Sequence, residues 1–178
     1  KFGYVFNSNS SLVRKNVINL VKAFDSIKSR NAVLILKYIP LKKSSYHLCK
    51  DDLFLEKYLV YLTSFNNNIY LISDILEIQD LYKFYTYLDY YISPHIGEGY
   101  GITLYDNMIL NNKIISTYYS GEKDFLVKEN IKVLPHTEKP VLRMKYHPCY
   151  GLMDNLCAAY VSVESIINII KHLPEILE

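Results

Sequence analysis

The sequence predicts an α/β domain in which helices cover both faces of a doubly wound parallel sheet, forming a single unit over residues 1–178. Three observations carry this expectation. Short apolar runs and helical patterns alternate through most of the chain, the order that successive strand–helix–strand units produce. One of the runs, Ala32 to Ile39, stays apolar up to Pro40, as strands covered on both faces do. The chain has 178 residues, 50% hydrophobic and 21% charged. That suffices for one self-supporting core of ordinary composition and does not fit a disordered chain.

Each element has a local signature. Phe2-Gly-Tyr-Val-Phe6 is short and aromatic-rich and reads as a strand; Asn7 to Ser11 is small and polar and reads as a loop. Val17, Leu20, Val21, Phe24 and Ile27 recur at helical spacing, with Ser10 or Ser11 as cap. After the strand 32–39, Asp51 to Ser64 is expected to be a helix with Leu53, Phe54, Tyr58 and Tyr61 on one side. Ile69 to Ile72 reads as a strand, Gln79 to Tyr87 as a helix, and Tyr90 to Ser93 as a strand stopped by Pro94. Gly99 to Leu110 opens in a glycine turn and continues as a helix. Lys113 to Thr117 and Ile131 to Leu134 are strands, and Ser162 to Leu173 is a terminal helix with Val163, Ile166, Ile167 and Ile170 on its apolar face. Pro135 to Tyr150 is the least regular stretch, with three prolines and two histidines.

Composition excludes several classes. A net charge of +2 is too balanced to argue for nucleic acid. The apolar stretches are too short and polar-interrupted for a membrane-spanning helix. No signal peptide is visible; the chain begins at Lys1 and not at Met, so it is expected to be a fragment lacking an N-terminal portion. Cys49, Cys149 and Cys157 form no CxxC pair, which fits a reducing compartment. His147, Cys149 and Cys157 lack the two tight ligand pairs of a structural zinc site, so no metal is expected.

In open parallel sheets, ligands bind outside the carboxyl ends of the strands, and three constellations fall there. The densest is Ser93 to Asp106. Gly97, Gly99 and Gly101 let the backbone turn and approach a ligand, and the helix that follows offers unpaired N–H groups to an anion. Glu98 sits beside this anion site. Asp106 lies eight residues on, about two helical turns and so on roughly the same face. Acceptors on both sides of a phosphate cradle suit a nucleotide sugar, with hydroxyls flanking a diphosphate; a plain strand–turn–helix fits the same residues. The second constellation is Asn7 to Asn16, where Arg14 and Lys15 stand at the start of a helix, against its dipole. Both suit a diphosphate; both also suit a solvated surface. The third is Ser116 to Asp124, in which Ser120 and Gly121 offer backbone donors while Glu122 and Asp124 read as capping acids.

Taken together, Arg14-Lys15-Asn16 with Leu20, Ala23 and Phe24, then Ile72 to Leu76 with Leu81-Tyr82 and Leu88-Asp89, then Pro94-His95 with Glu98-Gly-Tyr-Gly-Ile102, and finally Lys113 to Thr117 with Ser120-Gly121 resemble, in order, the C-terminal, nucleotide-sugar-binding domain of GT-B fold glycosyltransferases, particularly the retaining family 4 group. The resemblance implies a Rossmann-like fold and roles for single residues. Arg14 and Lys15 would bind the diphosphate and stabilise the leaving nucleotide, and Glu98 would contact the donor sugar. Gly97 and the backbone of Gly99, Tyr100, Gly101 and Ile102 would line the sugar and phosphate site. Asp106 would hold the ribose hydroxyls, where the family has a glutamate one methylene longer. Ser73, Asp74, Ile75 and Leu76 would contact the base. It further implies no metal or cofactor, a glycan, lipid or protein acceptor, and a location in the cytoplasm or at the inner membrane face. An N-terminal GT-B domain, outside this chain, would hold the acceptor; Tyr146 to Tyr150 resembles the part near the hinge. Alone, the chain would bind donor and transfer little.

Three other readings compete: a GT-B-like epimerase or phosphorylase, a non-catalytic GT-B-like domain used for assembly, and an unrelated doubly wound domain of the response-regulator or flavodoxin type. Arg14, Lys15 and Glu98 count against the second and Asp106 in its favour.

Overall fold

A computed structural model describes residues 1–27, 29, 31–42, 50–140 and 157–176. Six parallel strands form the central sheet: β1 (Phe2–Asn7), β2 (Leu34–Ile39), β3 (Ile69–Ile72), β4 (Tyr90–Ser93), β5 (Lys113–Ser116) and β6 (Lys132–Val133). Their order is β3-β2-β1-β4-β5-β6. The chain winds outward from β1 through β2 to β3, then crosses back to place β4 on the other side of β1. The doubly wound parallel sheet expected from the alternation is the sheet observed.

Helices α1 (Leu12–Lys15), α2 (Val17–Ile27), α3 (Lys50–Ser64), α4 (Ile78–Thr86), α5 (Ile102–Ile109) and α6 (Val163–Lys171) cover it. On one side α2 packs against α3 and α6, and Phe24 meets the ring of Phe2 edge-on at 5.1 Å. On the other, α4 and α5 are joined where the Tyr82 hydroxyl donates to Asp106 Oδ1 at 3.1 Å. The core between these layers includes Phe2, Tyr4, Leu34, Leu36, Tyr91, Ile92 and Ile115, all nearly inaccessible.

The strands β1 and β4 pair only at Phe2–Tyr90 and Gly3–Tyr91. Beyond that the Tyr91 hydroxyl stands between them, accepting from Val5 N–H at 3.3 Å and donating to Val5 O at 3.4 Å. The ladder is thus replaced by a side chain where the two strands lead toward the carboxyl edge. This is the point at which the winding reverses, where sheets of this class hold their ligands.

Three expectations are corrected. The helix at 12–27 is broken: Asn16 takes the left-handed conformation (φ 55°) and separates one turn, α1, from α2. The face of α3 is inverted. Phe54 and Tyr61 are 67% and 60% exposed, while Asp52, Glu56, Leu59 and Thr63 are buried. Asp52 and Glu56 accept the N–H groups of Leu12 and Leu41, at 3.0 and 2.9 Å, so this helix buries acceptors to serve the loops leaving β1 and β2. Finally, part of the irregular stretch is a strand: β7 (Thr137–Pro140) pairs antiparallel with β8 (Cys157–Tyr160) in a separate ladder. Tyr146 to Tyr150, His147 and Cys149 lie outside the described residues.

Candidate functional site

The site grows from two loops that leave the adjacent strands β1 and β4. After β1, the Asn7 side chain accepts the Asn9 N–H at 2.9 Å and turns the chain. Ser11 then accepts the Arg14 N–H, at 3.4 Å, and Asp52 accepts that of Leu12, so α1 is capped twice. Arg14 and Lys15 end this single turn rather than start a helix. They still stand just before the N-terminus of the longer α2, whose dipole opposes them. The Arg14 carbonyl accepts the Ile96 N–H at 2.8 Å. Asn16 Nδ2 donates to Pro94 O at 3.1 Å and Val161 O at 3.0 Å. The two loops are thus stitched side by side.

This brings Arg14, Lys15 and Glu98 together, as the resemblance implies. Arg14 Nη1 donates to Gly97 O at 2.7 Å and to Glu98 Oε1 at 3.1 Å. Its Nε and Nη2 donate to Ser10 O. Lys15 Nζ is bonded to the other carboxylate oxygen, Oε2. The three side chains are only 11–15% exposed, so the group is partly withdrawn from water and its electrostatics are strong. Burial pushes the Glu98 carboxyl up, but the Lys15 ammonium, with Arg14 and His95 behind it, pulls it below its usual value. Burial holds the Lys15 ammonium below its usual value despite Glu98. Two cations share one carboxylate beyond the carboxyl ends of β1 and β4, an arrangement that can take up further negative charge.

A second buried layer supports the first. His95 Nδ1 lies 3.0 Å from Ser93 Oγ, and His95 Nε2 lies 3.3 Å from Glu122 Oε1. Both His95 and Glu122 are fully buried. The same Oε1 accepts the N–H groups of Tyr119 and Ser120 at 2.6 and 2.9 Å. Burial would raise the Glu122 carboxyl, yet His95 and these two donors bring it down to about 2. Ser120 Oγ in turn accepts the Glu98 N–H at 3.0 Å. A Cβ at Gly121 would stand 1.9 Å from Gly99 O, so only glycine lets this turn lie against the Glu98 loop. Ser120 N–H is engaged by Glu122 and is not a free donor to a ligand, contrary to expectation. Glu122 does cap its turn, but its pairing with His95 was missed. Two residues 27 positions apart carry no spacing signal that would join them.

The remaining candidates are spread around this centre. Of the three loop glycines, Gly101 alone takes positive φ, at 83°, and it starts α5; a Cβ at Gly99 would meet nothing within 4 Å. Tyr100 packs on the rings of Tyr105 and Phe125, at 5.8 and 5.1 Å, and Ile102 is exposed. Asp106 lies in the second turn of α5 and is engaged by Tyr82. Because Glu98 to Gly101 are loop, the eight-residue spacing does not run along a helix. Ser73, Asp74, Ile75 and Leu76 follow β3, with Ile75 87% exposed. Their strand lies three places from β4, about 14 Å at ordinary strand spacing. Among the described residues no three metal-binding side chains converge, and no helix is long and apolar enough to cross a membrane.

No family model matches the chain, and no curated protein matches it. Solved structures do. One is the C-terminal domain of LpcC, a glycosyl transferase group 1 family protein from Francisella tularensis, with a TM-score of 0.55, 15% identity, and 72% of this chain and 63% of that one covered. Another is the UDP-forming α,α-trehalose-phosphate synthase of Burkholderia vietnamiensis, with a TM-score of 0.62, 8% identity, and 75% and 32% covered. A chain of the GtfA/B complex matches over 95% of this chain and 28% of its own length, with a TM-score of 0.58 and 14% identity. The chain thus spans under two thirds of the LpcC domain and about a third of the synthase. Sheet order and these likenesses agree that the fold is the Rossmann-like one found in the C-terminal domain of GT-B glycosyltransferases.

Proposed function

We propose that this chain is the donor-binding half of a glycosyltransferase and takes up a nucleoside diphosphate sugar beyond the carboxyl ends of β1 and β4. The observation that carries this reading is the convergence of Arg14 and Lys15 on Glu98 at the point of winding reversal. Arg14, a planar fork, and Lys15, a point charge, suit the two phosphates. They would also stabilise the negative charge that grows as the nucleotide departs, with no metal required. Glu98 would take hydroxyls of the sugar, and the open space at Gly99 would admit it. The loop Ser73–Leu76 would contact the base. Asp106 would reach the ribose hydroxyls by giving up Tyr82. Transfer would retain the anomeric configuration and would need a second domain to present the acceptor.

One observation favours a non-catalytic domain instead: the short Asp106 side chain is already engaged by Tyr82. A calorimetric screen with UDP, GDP, ADP and their sugars, with and without magnesium, separates the two. Metal-independent binding of one nucleoside diphosphate supports the donor-binding reading and names the base. Absence of binding at millimolar ligand supports the non-catalytic one.

A further inference from the structure

The side chain that sets the position of Glu98 is not on its own loop. Glu98 N–H is held by Ser120 Oγ at 3.0 Å. Ser120 is held by its own N–H on Glu122 Oε1, at 2.9 Å, beside the Tyr119 N–H at 2.6 Å. Glu122 is held in place by His95 Nε2, at 3.3 Å from the same oxygen, with both side chains inaccessible. His95 lies three residues before Glu98, its Nδ1 at Ser93 Oγ and its carbonyl accepting the Thr117 hydroxyl at 2.8 Å. A closed circuit therefore runs from β4 through His95 to Glu122, on to Ser120, and back to Glu98. Among the described residues the second carboxylate oxygen of Glu122, Oε2, has no hydrogen-bond partner, nor does His95 Nε2 have an aligned one. Two incompletely satisfied polar groups buried together are costly. The circuit is retained at that cost and ends at the one carboxylate shared by Arg14 and Lys15.

We propose that Glu122, paired with His95, is a positioning residue: it fixes the Tyr119–Gly121 turn and so places Glu98 against Arg14 and Lys15. The proposal rests on the donor-site reading only for its consequence in ligand binding; the positioning itself is a property of the unliganded chain.

Amide hydrogen exchange on the 178-residue chain tests it. Glu122→Ala should speed exchange at Glu98, Tyr119 and Ser120 by about tenfold or more relative to Leu36, Tyr91 and Ile115 in the central strands, the size of one lost hydrogen bond to a charged acceptor. Glu122→Gln keeps a carbonyl oxygen for the two N–H groups and should restore most of the protection at Tyr119 and Ser120. Ser120→Ala should release Glu98 alone, and it decides the question if Glu122→Ala fails to fold. Inorganic pyrophosphate, followed by calorimetry, should bind several-fold more tightly to Glu122→Ala, because a displaced Glu98 no longer competes for Arg14 and Lys15, and near normally to Glu122→Gln. Unchanged relative exchange at Glu98 in both Glu122→Ala and Ser120→Ala would overturn the proposal. Pyrophosphate that binds no variant, wild type included, would count against the donor site while leaving the exchange result to decide the positioning.

Discussion

The two edges of the sheet carry similar charges in opposite settings. At the amino edge, Lys113 Nζ meets Glu175 at 2.6 Å with side chains 62% and 47% exposed, and the Lys1 amino group meets Asp89 at 2.5 Å with 41% and 60% exposed. At the carboxyl edge, the Arg14–Glu98–Lys15 group is 11–15% exposed and the His95–Glu122 pair is inaccessible. Distance does not separate the two sets; access to water does. Exposed pairs are screened and lose side-chain entropy on forming, so they contribute little. Buried ones keep a charge that must be matched, and a missing partner is felt at once. An ion pair at the surface is therefore poor ground for a functional argument, and a pair shielded from water at the point of winding reversal is better ground.

The largest effect expected from breaking this contrast is at Glu98. Glu98→Gln leaves two adjacent cations facing a neutral amide. Stability should fall by about 1–3 kcal/mol in denaturant unfolding, a range set by hydrogen bonds to charged groups. The same substitution removes the anion that competes for Arg14 and Lys15. Affinity for inorganic pyrophosphate should therefore rise several-fold, whereas any preference for a sugar nucleotide over its free nucleoside diphosphate should shrink. A fall in pyrophosphate affinity would show that Glu98 does not compete at that site. Next, Arg14→Ala should weaken binding of free nucleoside diphosphate by about 1.5–3 kcal/mol, the range for a charge-assisted bond; unchanged calorimetric affinity would remove Arg14 from the phosphate site.

Acid should act on the carboxyl edge. Glu98 and Glu122 both titrate below their ordinary values in the fold, Glu122 at about 2. Groups of this kind stabilise the fold fully above the unfolded carboxylate value, roughly 4.3, and lose that contribution as pH falls through the folded one. Unfolding free energy should thus decline between about pH 5 and pH 2. Glu98→Gln and Glu122→Gln should flatten that decline. The smallest effect is expected at the amino edge: Lys113→Ala should leave the melting temperature unchanged within scatter. A drop as large as that of Glu98→Gln would erase the contrast.

Much of the fold was legible because it depends on local pattern. All six parallel strands were foreseen within a few residues, since continuous apolar runs between turn residues have few other uses. What failed was whatever depends on partners far along the chain. The face of α3 was inverted because two loops need its acids, which a hydropathy pattern reads as solvent-facing. The break at Asn16 was missed because its left-handed turn is secured by Pro94 and Val161, 78 and 145 residues away. The β7–β8 ladder escaped because each strand is recognisable only with its mate. For the candidate site, Arg14, Lys15 and Glu98 were legible as motifs, and the structure brings them together. Asp106 was placed beside Glu98 by a helical spacing that the loop does not follow. The His95–Glu122 link was invisible because it is a through-space pairing.

The bond from Asn16 to Val161 has a consequence in time as well as in space. It joins positions 145 residues apart, near the full length of the chain, and contacts of such separation form late. During synthesis the first strands and α2 can collapse long before Val161 has been made. The turn that carries Arg14 and Lys15 gains its last anchor only with the segment leading into α6. A nascent chain stalled before that segment would hold a sheet without this anchor, so the Arg14–Lys15 turn is secured only once Val161 has been made.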